Sequence, residues 1–126
     1  GEPDLRKPLV EMPRRFACKL AAATMGEDGV LAYDGTRLSY APAFCLAAVD
    51  TTGAGDIFRA GFVYALLQGW PLEQQLDFAC AAGALNCTAV GARGGIQPVD
   101  RIQSLIATGK RFAPFFDVSE VGEPTL

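Results

Sequence analysis

Histidine is absent from this chain of 126 residues. Ser-His and Cys-His nucleophilic machinery is thereby excluded, and any general base must be a carboxylate, a lysine or a tyrosine. Four cysteines are present, Cys18, Cys45, Cys80 and Cys87, but they contain no C-x-x-C pair. With no histidine to complete a ligand set, a zinc site is not expected. The cysteines read instead as buried, reduced thiols of a cytoplasmic protein. Cys80 and Cys87, seven residues apart among Ala and Leu, would share one helix face. A basic excess is also missing: 11 Lys and Arg stand against 14 Asp and Glu, a net charge of −3. That argues against a nucleic-acid or anionic-membrane partner. Arg14 with Arg15, and Lys110 with Arg111, are isolated pairs that read as solvated. No apolar run is long enough to cross a membrane, and there is no signal-peptide pattern. The opening residues Gly1-Glu2-Pro3-Asp4 include no initiator Met and read as the interior of a longer sequence.

Hydrophobic residues are plentiful, at 50% of the chain, enough for the core of one globular unit. Residues 4 to 14 carry two prolines and scattered charges, and read as a short helix or a loop. Phe16 to Met25 is apolar and Ala-rich, which predicts a buried parallel strand. Asp34-Gly35 between two alternating runs predicts a hairpin. Pro42 interrupts, and Phe44 to Val49 reads as a further strand. Three helices are predicted after it. Ile57, Phe58, Gly61, Phe62, Ala65 and Leu66 form an apolar face on the first, which ends at Gly69. Pro71 opens the second, apolar nearly all round from Leu72 to about Ala89 and expected to be largely buried. The third begins near Pro98 and aligns Val99, Ile102, Leu105 and Ile106 before Gly109. Phe112, Phe115 and Phe116 show no period and are expected to pack back onto the core.

The chemistry concentrates in Asp50-Thr51-Thr52-Gly53-Ala54-Gly55-Asp56. This run reads as the end of a strand, a glycine-rich turn and the start of a helix. Gly53 and Gly55 allow a tight turn and close approach of the backbone to a ligand. The first N–H groups of a helix have no intrahelical partner and carry partial positive charge, so they favour an anion. Asp56 beside such an anion suggests a base working next to a phosphoryl group. The bland reading is a helix-capping Asp in an ordinary glycine loop.

Val49 to Phe58, followed by the apolar helix Ala60 to Leu67, resembles the signature of the ribokinase (PfkB-type) carbohydrate kinases. Thr24-Met25-Gly26-Glu27-Asp28-Gly29-Val30 is similar to that family's T-x-G-x-x-G nucleotide loop. Ala81 to Thr88 and Gly91 to Gly95 resemble its adenine-side helix and the loop after it. Order and spacing agree over roughly residues 16 to 108. The resemblance implies an α/β fold, the C-terminal part of a ribokinase-like three-layer architecture. Strands and a hairpin are followed by three helices, with a central sheet between helical layers. Residues 1–126 would be the nucleotide-binding and catalytic portion of that domain, without its N-terminal half.

The implied roles follow residue by residue. Asp56 aligns with the catalytic base, and Gly53, Ala54 and Gly55 with the turn whose N–H groups form the anion hole. A carboxylate suffices as base because the alcohol turns acidic only as its bond to phosphorus forms. ATP is the implied cofactor, with Mg²⁺. Thr24, Gly26 and Gly29 would contact the nucleotide, although Gly29 could simply begin the hairpin. Gly83 and Asn86 would lie at the adenine. Alternatively Gly83 is a helix-packing position, and Asn86 satisfies a backbone carbonyl. Some relatives hold a monovalent cation, K⁺, between this turn and the loop after the adenine-side helix. The matching positions are Asp50 and Thr52 on one side, with Asn86, Ala89 and Gly91 on the other. Gly95 stands where some relatives place a hydroxyl, and Arg59 where they often have a small or amide residue. Both are departures; Arg59 could face phosphate or lie on the exposed face.

The expected activity is ATP-dependent phosphorylation of a sugar hydroxyl, with a small-molecule sugar and ATP as partners. A homodimer of the complete protein stays open. In this family the groups that read the sugar lie mostly in the N-terminal half, so the sugar is not specified. Two alternatives remain: a truncated module that binds nucleotide or phosphate without catalysis, and a nucleoside or phosphosugar kinase of the same fold.

Overall fold

The computed structural model describes residues 6–16, 19–25, 28–46, 53–88 and 97–112. Cys18, Gly26, Asp50, Thr52, Ala89, Gly91, Gly95, Phe115 and Phe116 lie outside the described residues. The order of elements is α1 (Arg6–Phe16), β1 (Ala21–Thr24), β2 (Val30–Tyr33), β3 (Leu38–Ala41), α2 (Ala54–Leu67), α3 (Leu72–Asn86) and α4 (Val99–Thr108).

The first segment is a helix, despite its prolines. Pro8 stands in the first turn, where its missing N–H has no partner to lose, and Pro13 falls inside the helix near its end. Leu9 and Val10 turn toward the sheet and pack with Ala21, Leu31, Tyr33 and Leu38.

The three strands form one sheet in the order β1-β2-β3, antiparallel throughout. This corrects the parallel strand predicted for Phe16 to Met25. Phe16 ends α1 and is exposed, and the strand proper is four residues long. Within it Ala21 is buried while Ala22 and Thr24 are exposed. Alanine is apolar on either face, so an Ala-rich run hides the alternation of a strand buried on one side.

β2 and β3 are joined as predicted, with Tyr33 opposite Leu38. The turn is centred on Gly35 and Thr36, with Gly35 at φ 100. The Asp34 carboxylate accepts hydrogen bonds from Thr36 N at 2.9 Å, Thr36 Oγ1 at 3.0 Å and Arg37 N at 2.8 Å. These bonds favour the charged form and lower its pKa from the ordinary carboxylate value.

Alternation along β2 sends its side chains to both sides of the sheet. Leu31 and Tyr33 meet α1, while Val30 and Ala32 meet Leu76 of α3, flanked by Phe58 and Phe62 of α2. The result is three layers: α1, the sheet, and the α2–α3 pair with α4 against α3. The fold class expected from the resemblance is the one observed.

The helices start and stop where the sequence places the signals. Gly53, at φ 78, turns the chain into α2, and Gly69, at φ 75, follows its end. Pro71 and Pro98 stand immediately before α3 and α4. α3 is largely buried, as predicted. α2 departs from prediction at its far end, where Leu66 is exposed. Small residues let α2 and α3 touch: a Cβ on Gly61 would lie 3.2 Å from Ala79 Cα, and one on Gly83 would lie 3.3 Å from the Ala54 carbonyl. Tyr64, Trp70 and Phe78 close the other end, with Tyr64 and Phe78 stacked at 5.3 Å.

Two further expectations are corrected, and the strand expected over Phe44 to Val49 is only partly described. Phe44 makes only an isolated antiparallel bridge with Arg111, and residues 47–49 of the expected strand lie outside the described residues. Cys45 is exposed, and Cys80 and Cys87 are half-buried, none of them in a disulfide. Arg111 is half-buried rather than free in solvent: it lies against Phe44 and forms an ion pair with Asp77.

Candidate functional site

A cavity of about 390 Å³ opens where the sheet, the start of α2 and the second half of α3 meet. Its geometry follows from three local features of the chain.

The first is the β1–β2 connection. Met25 N donates to the Gly29 carbonyl at 2.8 Å, and Asp28 N to the Met25 carbonyl at 3.0 Å, which ties Met25 to the residues that lead into β2. Gly29 sits at φ 90, and a Cβ there would run into the Ala41 carbonyl. Both conditions demand glycine. Thr24 and Gly29 line the cavity on either side of this loop. Gly29 is therefore both the lead-in to the hairpin and part of the wall.

The second feature is the turn into α2. Gly53 precedes the helix, no side chain among the described residues caps it, and its carbonyl accepts from Ile57 N at 3.0 Å. The first N–H groups of the helix lack intrahelical acceptors. Ala54 and Gly55 line the cavity, and among the described residues nothing lies within 4 Å of the place a Gly55 Cβ would take. Asp56, the next residue, is not part of the lining. Its side chain is 81% exposed and its Oδ1 accepts from Arg59 Nη1 at 3.0 Å. Arg59 thus lies on the exposed face, paired along the helix at i,i+3.

The third feature is a stripe of small residues on α3. Cys80, Gly83 and Ala84, with Cys87 just beyond the helix end, follow helical spacing and face the cavity. Burial pushes the Cys80 thiol up to about 12, with the nearby Arg111 acting the other way. At neutral pH this sulfur is a protonated, poorly nucleophilic wall atom. Asn86 is fully buried and is not among the residues lining the cavity. Gly83 belongs to the wall and also lets the helices touch.

Five residues nominated from sequence therefore share one cavity: Thr24, Gly29, Ala54, Gly55 and Gly83. Asp56 stands outside it on the adjoining turn. Gly26, and the proposed cation positions Asp50, Thr52, Ala89 and Gly91, lie outside the described residues. Among the described residues, no group of three or more His, Cys, Asp or Glu side chains could hold a metal. Sequence reasoning missed the aromatic walls, Phe44, Phe58 and Phe112. They come from three distant stretches, and only tertiary packing joins them. The signal for the α3 face was the resemblance of Ala81 to Thr88 to an adenine-side helix, with the small residue Gly83 within it.

The model of the pfkB family carbohydrate kinases matches residues 4–99. A ribokinase of Bacillus subtilis (strain 168) is 38% identical over 84 residues, covering 67% of this chain and 29% of the relative. The solved ribokinase of Thermotoga maritima superposes with a TM-score of 0.76 at 29% identity, over 84% of this chain and 35% of that one. An Escherichia coli protein described as a ribokinase II, solved in complex with ATP and Mg²⁺, gives a TM-score of 0.68 at 27% identity. That match covers 71% of this chain and 29% of the neighbour. The chain spans about a third of the length of the relatives it matches.

Proposed function

The chain belongs to the pfkB family of carbohydrate kinases, and we propose that it is the C-terminal, nucleotide-binding and catalytic portion of an ATP-dependent sugar kinase. The observation that carries this reading is the convergence of Thr24, Gly29, Ala54, Gly55 and Gly83, from separate stretches of sequence, on one cavity. Aromatic walls beside a stripe without large side chains suit a flat purine ring. The uncapped first turn of α2 offers backbone donors for phosphoryl oxygens as charge moves onto them. Asp56 of the same turn accepts the hydroxyl proton of the sugar. The empty space at Gly55 is where a phosphoryl group could approach the backbone.

Mg²⁺ neutralises charge on the phosphates when bound. With no three-ligand cluster among the described residues, the nucleotide phosphates and water would supply most of its coordination. The K⁺ loop rests on residues outside the described ones and carries no part of this reading. The ribokinase relatives favour a sugar acceptor; a nucleoside or a phosphosugar calls for the same chemistry. Among the described residues no helix is long and apolar enough to cross a membrane.

The short span relative to the relatives supports a second reading, a module that binds nucleotide without turning it over. Calorimetric titration with ATP and with sugars separately distinguishes the two halves of the proposal. ATP is expected to bind residues 1–126, and its failure to bind overturns the nucleotide reading. Sugar-dependent ADP release is expected from the complete protein and not from residues 1–126 alone. Without a held acceptor, orientation worth about 7–11 kcal/mol in organised sites is forfeited. Robust turnover by residues 1–126 would place acceptor recognition within them.

A further inference from the structure

One cation does more than balance a charge. The Arg111 side chain is 24% exposed, and its Nη2 lies 2.7 Å from Asp77 Oδ1 on α3. The same Nη2 donates to the Pro42 carbonyl at 2.6 Å, and Nε donates to that oxygen at 3.0 Å. Its Cζ lies 4.2 Å from the Phe44 ring centroid. One guanidinium therefore joins α3, the segment leaving β3 and an aromatic ring of the cavity wall.

Among the described residues the backbone around it is paired only briefly. Cys45 N donates to the Lys110 carbonyl and Phe112 N to the Ala43 carbonyl, both at 2.8 Å. Two such bonds outside any sheet make a marginal ladder. Yet Ala43, Phe44 and Phe112 all line the cavity, so this short pairing forms one of its walls.

We propose that Arg111 is a positioning residue for the cavity, clamping the 42–45 and 110–112 segments to α3 so that Phe44 and Phe112 stand as one wall. The planar fork suits the task because separate N–H groups reach a carboxylate and a carbonyl while the flat face covers a ring. A lysine ammonium could keep the attraction to Asp77 but not the forked geometry or the stacking. Asp77 lies one helical turn before Cys80, so the clamp closes beside the small-residue stripe. The consequence for ATP rests on reading this cavity as the nucleotide site; the clamp itself does not.

The test uses the whole chain, as wild type, Arg111→Lys and Arg111→Ala, with two readouts. N-ethylmaleimide labelling, resolved for each cysteine by mass spectrometry, reports opening of the wall through Cys80. In Arg111→Lys with native circular dichroism, Cys80 is expected to react about tenfold faster than in wild type, as a local opening would allow. Arg111→Ala should also react faster than wild type, with the gain reduced by loss of the cation that favours the thiolate. Calorimetric ATP affinity is expected to weaken by about tenfold in Arg111→Lys, equivalent to about 1.4 kcal/mol.

Unchanged Cys80 labelling in the folded variants overturns the clamp. So does labelling of every cysteine in Arg111→Lys at the rate of the urea-unfolded chain, which would make the contact a general support of the fold. If wild type binds no ATP, the nucleotide reading fails, and the labelling alone decides the clamp. If labelling rises while ATP affinity holds, positioning of the ligand by this wall is overturned.

Discussion

α2 and α3 are nearly equal in length and lie against each other, yet they are used in opposite ways. α3 buries nine of its fifteen residues, Gln75 and Asn86 among them. α2 buries only Gly61 and Ala65 of its fourteen, and exposes Val63, Tyr64, Leu66 and Leu67. Composition does not account for this, because α2 is the more apolar helix of the two. Surroundings do. α3 meets α2, β3 and α4, whereas α2 packs chiefly on α3. A helix that is apolar on more than one side is suited to be covered on more than one side. The relatives are about three times as long as this chain. Burial in α3 therefore reports the core, while burial in α2 reports only what this stretch of chain can supply.

The largest expected effect belongs to the exposed helix. Asp56→Asn in the complete protein should lower turnover by about 10² to 10⁴ while ATP binding persists, since the amide is nearly isosteric but cannot accept the proton. Steady-state kinetics beside ATP titration checks this, and near-normal phosphorylation removes Asp56 from the role of base. Leu76→Ala tests the buried helix. Leu76 is fully buried between α3 and the sheet, and its truncation should cost about 2–5 kcal/mol in urea unfolding. A loss under about 1 kcal/mol would mean that the α3–sheet contact contributes little to the core.

Gly61→Leu attacks the seam between the helices. With Ala79 Cα 3.2 Å and Ala82 Cβ 3.3 Å from a would-be Cβ, overpacking should cost about 1–3 kcal/mol in the same assay. A neutral result would show that the helices can slide apart without loss. The smallest effect is expected at Leu67→Ala, where the side chain is 78% exposed. Stability should move by less than about 0.5 kcal/mol. A larger destabilisation would show that the outer face of α2 is already covered, for instance by a second copy, and analytical ultracentrifugation would then detect the association.

The helical half of the fold was legible because its signals are local. Gly53, Gly69, Pro71 and Pro98 stand at the helix boundaries, and the hairpin follows from residues beside its turn. β1 was misjudged because alanine carries no record of which face it shows. The site divided along the same line. Its glycine-rich turns were readable, since a backbone that must bend or admit a ligand selects its residues locally. Its aromatic wall was not, and neither was the clamp. Arg111 beside Lys110 looks like any solvated pair, because its partners Pro42 and Asp77 lie 69 and 34 positions away in the chain.

The confinement of Gly29 determines what a mutational scan can reveal here. Every side chain at that position is refused by φ and by the Ala41 carbonyl, whether or not any nucleotide ever arrives. Intolerance at Gly29 therefore carries information about the sheet and none about the ligand. Gly55 is the informative counterpart, because the described protein leaves its Cβ position open and Ala is a better helix former than Gly. If Gly55→Ala folds well and still loses ATP turnover in the complete enzyme, the constraint has come from the ligand.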